Sequence, residues 1–308
     1  MTKRNIKSSG LNTNDLHALF TDEKIALDFA KVHDMLYDNG ECQSTYRCNG
    51  KYKIVIDAST KTGERLQCPV CRKTKSLFYN SIFTRSKIGV NIVLHLLYCW
   101  SQKYSCKSTA HECKVSINTV TNYFQAFRQA CKFYIDRKRP FKIGGPGYNV
   151  EIDETVISKR KSYTGRVLKE VWVFGGICRE TKERFALSVP NRKSVTLLPL
   201  IQKNIEDESI IHSDSWPAYD GIDSLPGDYT HLTVNHSKNF VDPKTGSHIQ
   251  TIERMWRELK LIKHRYQGLI REDIDYYIAE YLWRTKEEVE HKNAFTKAII
   301  LVIECPYF

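Results

Sequence analysis

Three acidic side chains occupy positions from which they could converge on one site. Asp153 lies in the run YNVEIDETVI, which predicts a β-strand, and Asp214 ends a later predicted strand, SIIHSD. Glu253 lies in a predicted helix, GSHIQTIERMWRELK, at the edge of its apolar stripe. Ligand sites in open α/β sheets gather outside the strand ends. A helix packed across that end would bring the three carboxylates together.

Converging carboxylates repel one another unless hard divalent cations bind between them. We therefore expect two Mg²⁺ or Mn²⁺ ions, roughly 3.5–4 Å apart, held by Asp153, Asp214 and Glu253. Such a pair activates water or a 3′-hydroxyl and stabilises the leaving oxygen of a phosphodiester. The alternative for Glu253 alone is a solvated position paired with Arg257, four residues further along the helix.

Neighbouring side chains give secondary candidates. His236 and His248 flank the loop before the Glu253 helix, and either could orient a phosphate or a water, or make a structural hydrogen bond. Glu154, next to Asp153, is interpreted as exposed or as supporting the site. Trp216 and Tyr219 follow Asp214 and are expected to wall the pocket.

The elements that must position these residues form an α/β pattern. Three predicted strands (YNVEIDETVI, VWVFGGICR, RFALSVP) precede a helix (TLLPLIQKNI). The strands SIIHSD and HLTVNH and the Glu253 helix follow. Strands one and four are neighbours in ribonuclease-H-like sheets, which would set Asp153 beside Asp214. The fold class predicted for residues 147–290 is therefore α/β, and the family resemblance given below implies that this domain is ribonuclease-H-like.

The positive charge is concentrated ahead of this domain. The net charge is +12, and residues 51–140 hold 17 Lys+Arg against 4 Asp+Glu, whereas residues 141–308 are balanced. A basic block of this kind is typical of a nucleic-acid-binding module. A merely soluble basic surface is the alternative. A run of three basic residues in a predicted turn near the first carboxylate could track a DNA backbone or simply be solvated: Lys159, Arg160 and Lys161.

Four of the ten cysteines predict a zinc site. Cys68 and Cys71 form a CxxC knuckle, and Cys42 with Cys48 could complete a tetrahedral set of thiolates. The structural zinc would substitute for a core that is too small to fold alone. A different first ligand and ordinary reduced cysteines remain as alternatives. The runs KYKIVI and SLFYNSIF in this region are β-rich.

Residues 90–135 predict helices in a helix-turn-helix order, with Ser116 as N-cap of the longer helix. That helix would enter the major groove of DNA. A plain three-helix bundle is the alternative on pattern alone, and the basic charge favours the first interpretation. The candidate DNA contacts near the start of the longer helix are Asn118, Thr119, Thr121 and Asn122.

The motifs VEIDET, IHSDSWPAY, VNHSKNFVDPKTGSHIQTIERMWRELK and IAEYLWRTK resemble those of the DDE transposases of the Merlin superfamily and their bacterial insertion-sequence relatives. The resemblance covers roughly residues 42–285. It implies an acidic triad of Asp153, Asp214 and Glu253 that binds two magnesium ions. The first cysteine pair departs from the family pattern, because Thr45 stands where the first Cys of a CxxC would be.

The resemblance also implies a function and partners. Expected activities are metal-dependent strand cleavage at element ends and transfer into target DNA, that is, cut-and-paste transposition. The partners would be double-stranded DNA of the terminal repeats and target, in a homodimer or larger synaptic assembly. A metal-dependent nuclease that does not join ends, and a domesticated DNA-binding protein, are the alternatives.

The resulting domain organisation has five parts. We predict an N-terminal helical segment at 1–40, a zinc-ribbon-like module at 41–88 and a helix-turn-helix-like DNA-binding region at 89–140. The transposase domain (147–290) and a C-terminal tail (291–308) follow. The sequence predicts no membrane span and no secretory signal. We therefore expect an intracellular protein, nuclear if the host is eukaryotic and otherwise cytoplasmic.

Overall fold

The computed structural model describes residues 13–36, 40–42, 48–60, 62–137, 142–158, 170–234, 248–266, 271–289 and 293–305. The chain divides into two compact units. One unit is Met1–Ala130 with His291–Phe308, and the other is Cys131–Glu290. No helix among the described residues is long and apolar enough to span a lipid bilayer.

The helices and strands are numbered in chain order. The helices are α1 (Thr13–Thr21), α2 (Glu23–Val32), α3 (Val90–Ser101), α4 (Cys106–Glu112), α5 (Ile117–Arg137), α6 (Ser194–Asn204), α7 (Gln250–Arg265), α8 (Ile274–Val289) and α9 (Ala294–Glu304). The strands are β1 (Lys53–Ile56), β2 (Glu64–Gln67), β3 (Thr74–Lys75), β4 (Ile143–Gly144), β5 (Asn149–Ser158), β6 (Val171–Cys178), β7 (Arg184–Val189), β8 (Ile205–Glu206), β9 (Ile210–Asp214) and β10 (Thr230–Val234).

The N-terminal helical stretch is broken once. Asp22 separates α1 from α2, and its side chain accepts hydrogen bonds from the backbone N–H groups of Lys24 (2.8 Å) and Ile25 (3.1 Å). An Asp at this position satisfies backbone donors that the first turn of a helix leaves unpaired. The predicted N-terminal helical segment therefore contains two helices joined at a capping residue.

Strands β1, β2 and β3 form a small antiparallel sheet. Its core contains Tyr52, Leu66 and Leu77 together with cysteines. The β-rich reading of KYKIVI is confirmed by β1, but that of SLFYNSIF is wrong, because the run forms turns. The hydroxyls of Ser81 and Thr84 donate to the carbonyl oxygen of Phe78 at 2.8 and 2.7 Å, which fixes the turns.

Helices α3, α4 and α5 follow the predicted order of helix, short helix, turn and longer helix. The hydroxyl of Ser116 accepts from the backbone N–H of Thr119 at 3.1 Å, as expected of an N-cap. Lys114 adopts a φ of 52° in the turn before it. The C-terminal tail predicted over 291–308 contains α9. The Phe295 ring of α9 packs against the Tyr98 ring of α3, with centroids 5.5 Å apart, so α9 belongs to the first unit.

The second unit confirms the ribonuclease-H-like fold. Its five-stranded sheet has the order β10-β9-β5-β6-β7. Strands β5, β6 and β7 pair antiparallel, and β9 lies parallel to both β5 and β10. The first and fourth strands of this sheet in chain order, β5 and β9, are thus neighbours, as predicted. The short parallel pair β4–β8 was not expected from the sequence.

Alternation along β5 separates the core from the site. Val150 and Ile152 point into the main core with Leu197 and Ile201 of α6, and all four are fully buried. The intervening residues face the opposite side of the sheet, where α7 packs. Val150 and Ile152 therefore stabilise the unit, whereas Glu151 and Asp153 face the side of the sheet where α7 packs.

Gly175 of β6 is the register partner of Asp153 and lies beneath α7. A Cβ atom added there would lie 2.6 Å from Cη2 of Trp256 and 2.7 Å from the backbone oxygen of Phe185. We expect Gly175→Ala to lower the free energy of unfolding by about 1–3 kcal/mol, because overpacking forces backbone shifts. Urea denaturation followed by tryptophan fluorescence measures this change.

Gly221→Ala is the matched control. Its added Cβ would meet only the Leu198 side chain, nearest at 2.9 Å, and the glycine has no positive φ. An equal loss of stability in both variants would contradict the close approach of α7 to β6.

Candidate active site

Asp153 and Asp214 lie level with each other on neighbouring strands. The parallel register pairs Glu151 of β5 with His212 of β9. Continued by two residues, this register sets Asp153 beside Asp214. The backbone N–H of Trp216 donates to Asp214 Oδ1 at 3.0 Å, which orients that carboxylate. The structure therefore brings together the two predicted aspartates at the carboxyl end of β9.

The surroundings of Asp153 favour its neutral form. Burial raises the pKa of Asp153 to about 7, and the nearby charges of Glu154 and Asp214 act in the same direction. A hydrogen bond from Trp256 opposes the shift. Like charges held this close are typical of functional sites rather than of structural cores.

Helix α7 carries the third predicted acid. Trp256 Nε1 donates to Asp153 Oδ2 at 2.9 Å, so the helix contacts the first carboxylate directly. Glu253 lies three residues earlier on α7, and its side chain is exposed at the edge of the buried stripe. Residues three apart on a helix share a face. The buried members of the stripe are Ile249, Ile252, Met255, Trp256 and Leu259.

Glu151 fixes the start of α7. Its side chain is wholly buried and accepts from the backbone N–H of Ile252 at 2.9 Å. Arg179 Nε donates to the same carboxylate at 2.6 Å, and Arg179 Nη2 donates to the carbonyl oxygen of His248 at 2.6 Å. His248 Nδ1 lies 3.4 Å from Glu151 Oε1. The structure thus places His248 against this anchor.

Glu154 faces the other side of β5. It is half-buried and accepts a short hydrogen bond from the Tyr219 hydroxyl. Burial raises the pKa of Glu154, and the Asp214 charge adds to the effect. Burial first, and then the Glu154 charge, raise the pKa of Tyr219 well above its ordinary value. Tyr219 is fully buried, so it holds Glu154 rather than walling an open pocket.

The Arg192 side chain lies near enough to the Glu154 carboxylate for their charges to interact. The Arg192 guanidinium lies between two indole rings, 4.2 Å from the Trp172 centroid and 4.4 Å from the Trp216 centroid. Its charge acts to lower the pKa of Glu154. Trp216, with 37% of its surface exposed, is therefore a wall of the site that also fixes an arginine.

Sequence reasoning missed Glu151, Arg179 and Arg192. A signal for Glu151 exists, because it precedes Asp153 by two residues and must share its face of β5. Arg179 and Arg192 carry no comparable signal, since their partners lie on elements distant in the chain.

The donor set suits hard divalent cations. Asp153 and Asp214 lie on adjacent strands and Glu253 lies on a helix that contacts Asp153, but among the described residues these three carboxylates do not gather within 4.8 Å of one another. Mg²⁺ and Mn²⁺ prefer oxygen ligands of this kind. A bound cation would also relieve the repulsion that raises the pKa of Asp153.

The four predicted zinc thiols also come together. Cys42 Sγ lies 3.4 Å from Cys71 Sγ, and Cys48 Sγ lies 3.5 Å from Cys68 Sγ. All four sulfur atoms lie within 4.8 Å of one another. Tetrahedral Zn–S bonds of about 2.3 Å require sulfur separations of about 3.8 Å, so the cluster fits zinc.

The predicted DNA contacts fall on the first turns of α5. Asn118 and Asn122 are exposed and, four residues apart, share one face. Thr121 is half-buried and its hydroxyl donates to the Ile117 carbonyl oxygen at 2.9 Å. Thr119 contacts the Ser116 hydroxyl at the cap. Four further candidates lie outside the described residues: Lys159, Arg160, Lys161 and His236.

Comparison with known proteins identifies similar sequences. Residues 144–286 match the ISXO2-like transposase domain. An "uncharacterized transposase-like protein" of Haemophilus influenzae is 27% identical over 117 residues. That alignment covers 38% of this chain and 92% of the relative.

Solved structures with detectable similarity include two retroviral integrase catalytic cores. The HTLV-2 integrase core in complex with magnesium has a TM-score of 0.29 at 15% identity, over 45% of this chain and 84% of that one. The BIV integrase core has the same TM-score and identity, over 47% of this chain and 98% of that one. At these scores the assignment of the fold rests on the strand order alone.

The raised pKa of Asp153 predicts a stability that depends on pH. The folded state holds a proton on Asp153 up to about pH 7, whereas an unfolded Asp releases it near pH 4. Stability therefore falls as pH rises from about 4 to 7. We expect Asp153→Asn to be more stable than the wild type at pH 8, by about 1–4 kcal/mol, and the gain to vanish near pH 4.

Chemical denaturation at several pH values, in buffer free of Mg²⁺ and Mn²⁺, measures this gain. Asp220→Asn, at an exposed position six residues after Asp214, is the matched control and should show no gain. A stability gain in Asp153→Asn that is the same at pH 4 and pH 8 would contradict a raised pKa of Asp153 in the folded protein.

Proposed function

We propose that this protein is a DNA transposase, because residues 144–286 match the ISXO2-like transposase domain and a transposase-like relative aligns over 117 residues. It cleaves DNA strands at the ends of a mobile element and transfers the freed 3′-hydroxyls into target DNA. Asp153, Asp214 and Glu253 would hold two Mg²⁺ or Mn²⁺ ions for both steps, and the four-cysteine cluster would hold a structural zinc.

The placement of Asp153 beside Asp214 carries this proposal. Two acidic side chains on adjacent parallel strands, with a half-neutralised carboxylate and a helix bearing Glu253 in contact, have little structural use. Their chemistry matches a site that binds metal ions and acts on phosphodiesters.

The three carboxylates would hold the metal ions, which supply Lewis acidity and an activated oxygen nucleophile. The side chains of the chain itself do the positioning. Trp256 Nε1 and the Trp216 backbone N–H hold Asp153 and Asp214 in place. Glu151 and Arg179 fix the first turn of α7 and so the height of Glu253 above the sheet.

Arg192 supplies positive charge at the rim of this acidic site. DNA is a polyanion, and carboxylates alone repel it. The two tryptophan rings keep the guanidinium next to Glu154, where it could contact a phosphate of the bound strand.

The first unit would bind the ends of the element. Its basic segment, residues 51–140, suits the phosphate backbone, and Asn118 and Asn122 suit adenine edges in the major groove. Two ends must be joined in one reaction, so we propose that the protein acts as a homodimer or a larger synaptic assembly.

The catalytic proposal is tested with labelled duplexes of the terminal repeats that flank the gene. Wild type with Mg²⁺ or Mn²⁺ should nick the duplex at the element end and form joined product. We expect Asp153→Asn, Asp214→Asn and Glu253→Gln each to lower both rates at least about 100-fold, since each removes a metal ligand worth ~3 kcal/mol. Asp220→Asn should retain wild-type rates.

The other outcomes separate the alternatives. Nicking without joining would indicate a nuclease, and tight binding with neither activity would indicate a DNA-binding protein. Full activity of Glu253→Gln, with the aspartate variants inactive, would remove Glu253 from the metal site.

The DNA-binding proposal is tested by substituting Asn118 and Asn122 with alanine together. We expect binding to the terminal repeat to weaken at least about 30-fold, because two bidentate base contacts worth ~1–3 kcal/mol each are lost together. Binding to unrelated duplex should change little. Competition gel shifts at fixed salt measure both affinities.

Gln129→Ala is the matched control, since this exposed residue lies further along the same face of α5. Equal weakening on specific and unrelated DNA in the double variant would contradict base recognition by the start of α5.

A further inference from the structure

A second cluster of soft ligands lies among the helices of the first unit, apart from the four-cysteine site. One ligand atom from each of His95, Cys99 and Cys113 lies within 4.8 Å of the others. The Cys99 thiol hydrogen-bonds with both of the other side chains. No element of the proposed transposition chemistry uses these residues.

Two helices bring the cluster together. His95 and Cys99 are four residues apart on α3, so they lie on one face about one turn apart. Cys113 is the C-cap residue of α4, and its backbone N–H donates to the Thr109 carbonyl oxygen at 2.9 Å. The chain then turns at Lys114, where φ is 52°. The position of Cys113 is therefore fixed by the end of α4.

The imidazole is also held in place. The Phe20 ring of α1 stacks on the His95 ring, with centroids 4.4 Å apart and planes inclined by 3°. Asn91 Nδ2 donates to the Phe20 carbonyl oxygen at 3.1 Å and ties the same segments together. A ligand whose ring plane is already fixed loses little conformational freedom when it binds a metal.

Burial and chemistry favour a metal over water as the partner of this cluster. Cys99 is fully buried, Cys113 is 6% exposed and His95 is half-buried. Tetrahedral zinc with two thiolates and one imidazole requires ligand separations of about 3.5–3.8 Å, within reach of the observed spacing by small side-chain rotations. Thiolate and imidazole together select zinc over hard cations such as magnesium.

We propose that His95, Cys99 and Cys113 form a second zinc site, which ties α3 to the end of α4. Three protein ligands leave the fourth tetrahedral position to a water molecule. The site clamps the two helices that precede α5 and so sets the angle at which α5 leaves the turn. This inference does not depend on catalysis by the second unit.

The test measures zinc per chain in the full-length protein by mass spectrometry. The protein is purified in a reducing buffer without chelators. We expect Cys113→Ser and His95→Ala each to lose one equivalent of zinc relative to the wild type. Cys106→Ser, a matched change on α4 outside both clusters, should lose none.

Cys71→Ser separates the two sites. It should lose the zinc of the four-cysteine cluster, and adding Cys113→Ser should remove one further equivalent. The step between these two variants reports the second site whether or not the first one binds zinc. Unchanged zinc in both Cys113→Ser and His95→Ala would overturn the proposal.

A measurement on the wild type guards against misfolded variants. Thiol alkylation followed by peptide mass spectrometry is compared before and after a zinc chelator. We expect alkylation of Cys99 and Cys113 to rise several-fold with chelator, while the buried Cys178 stays protected. Equal alkylation with and without chelator, or a Cys99–Cys113 disulfide in the reduced sample, would overturn the proposal.

Discussion

The candidate active site depends on the contacts that the buried carboxylate of Glu151 makes with the start of α7 and with Arg179. The carboxylate meets the start of α7 where backbone N–H groups have no partner within the helix, and where the helix dipole favours negative charge. Arg179 forms an ion pair with Glu151 and also donates a hydrogen bond to the carbonyl oxygen of His248, just before the helix. A buried ion pair of this kind contributes little net stability. Its use is positional, because it fixes which turn of α7 lies over β5.

The second unit contains two locally unfavourable features that accompany this position of α7. Burial and two acidic neighbours raise the pKa of Asp153 to about 7, so this carboxyl is only partly ionised near neutral pH. Gly175 must lack a side chain because the Trp256 ring occupies the space above it. Both features follow from seating α7 tightly on the strand that carries the first acid. Strain at a functional site is maintained by the rest of the fold, here the apolar core on the opposite face of the sheet.

Much of this arrangement could be predicted from the sequence. Alternation and turn residues located the strands of the sheet, and the stripe of α7 located its buried face with Glu253 at the edge. Spacing grouped the four cysteines, although Cys42 stands outside the usual motif. The SLFYNSIF run was wrongly predicted to be β-rich. Its hydrophobic residues lie in turns that hydroxyl hydrogen bonds hold, and hydrophobic periodicity does not reveal such bonds. The Glu151–Arg179 contact joins two different elements. In the second cluster, the four-residue spacing of His95 and Cys99 on α3 is a local pattern, but the approach of Cys113 from the end of α4 is not.

The first unit cannot complete its core until α9 has been synthesised, because α9 belongs to that unit but follows the second unit in the chain. Ring contacts join Phe295 of α9 to Tyr98 of α3 at 5.5 Å and to Phe20 of α1 at 6.3 Å, and Cys305 Sγ donates to the Ala130 carbonyl oxygen. The ribosome synthesises the whole second unit between those partners. A chain whose synthesis stops within the second unit lacks α9, which packs against α1 and α3 in the N-terminal core. The contacts of highest sequence separation therefore form last. Completion of the module proposed to hold DNA is thereby linked to completion of the unit proposed to cut it.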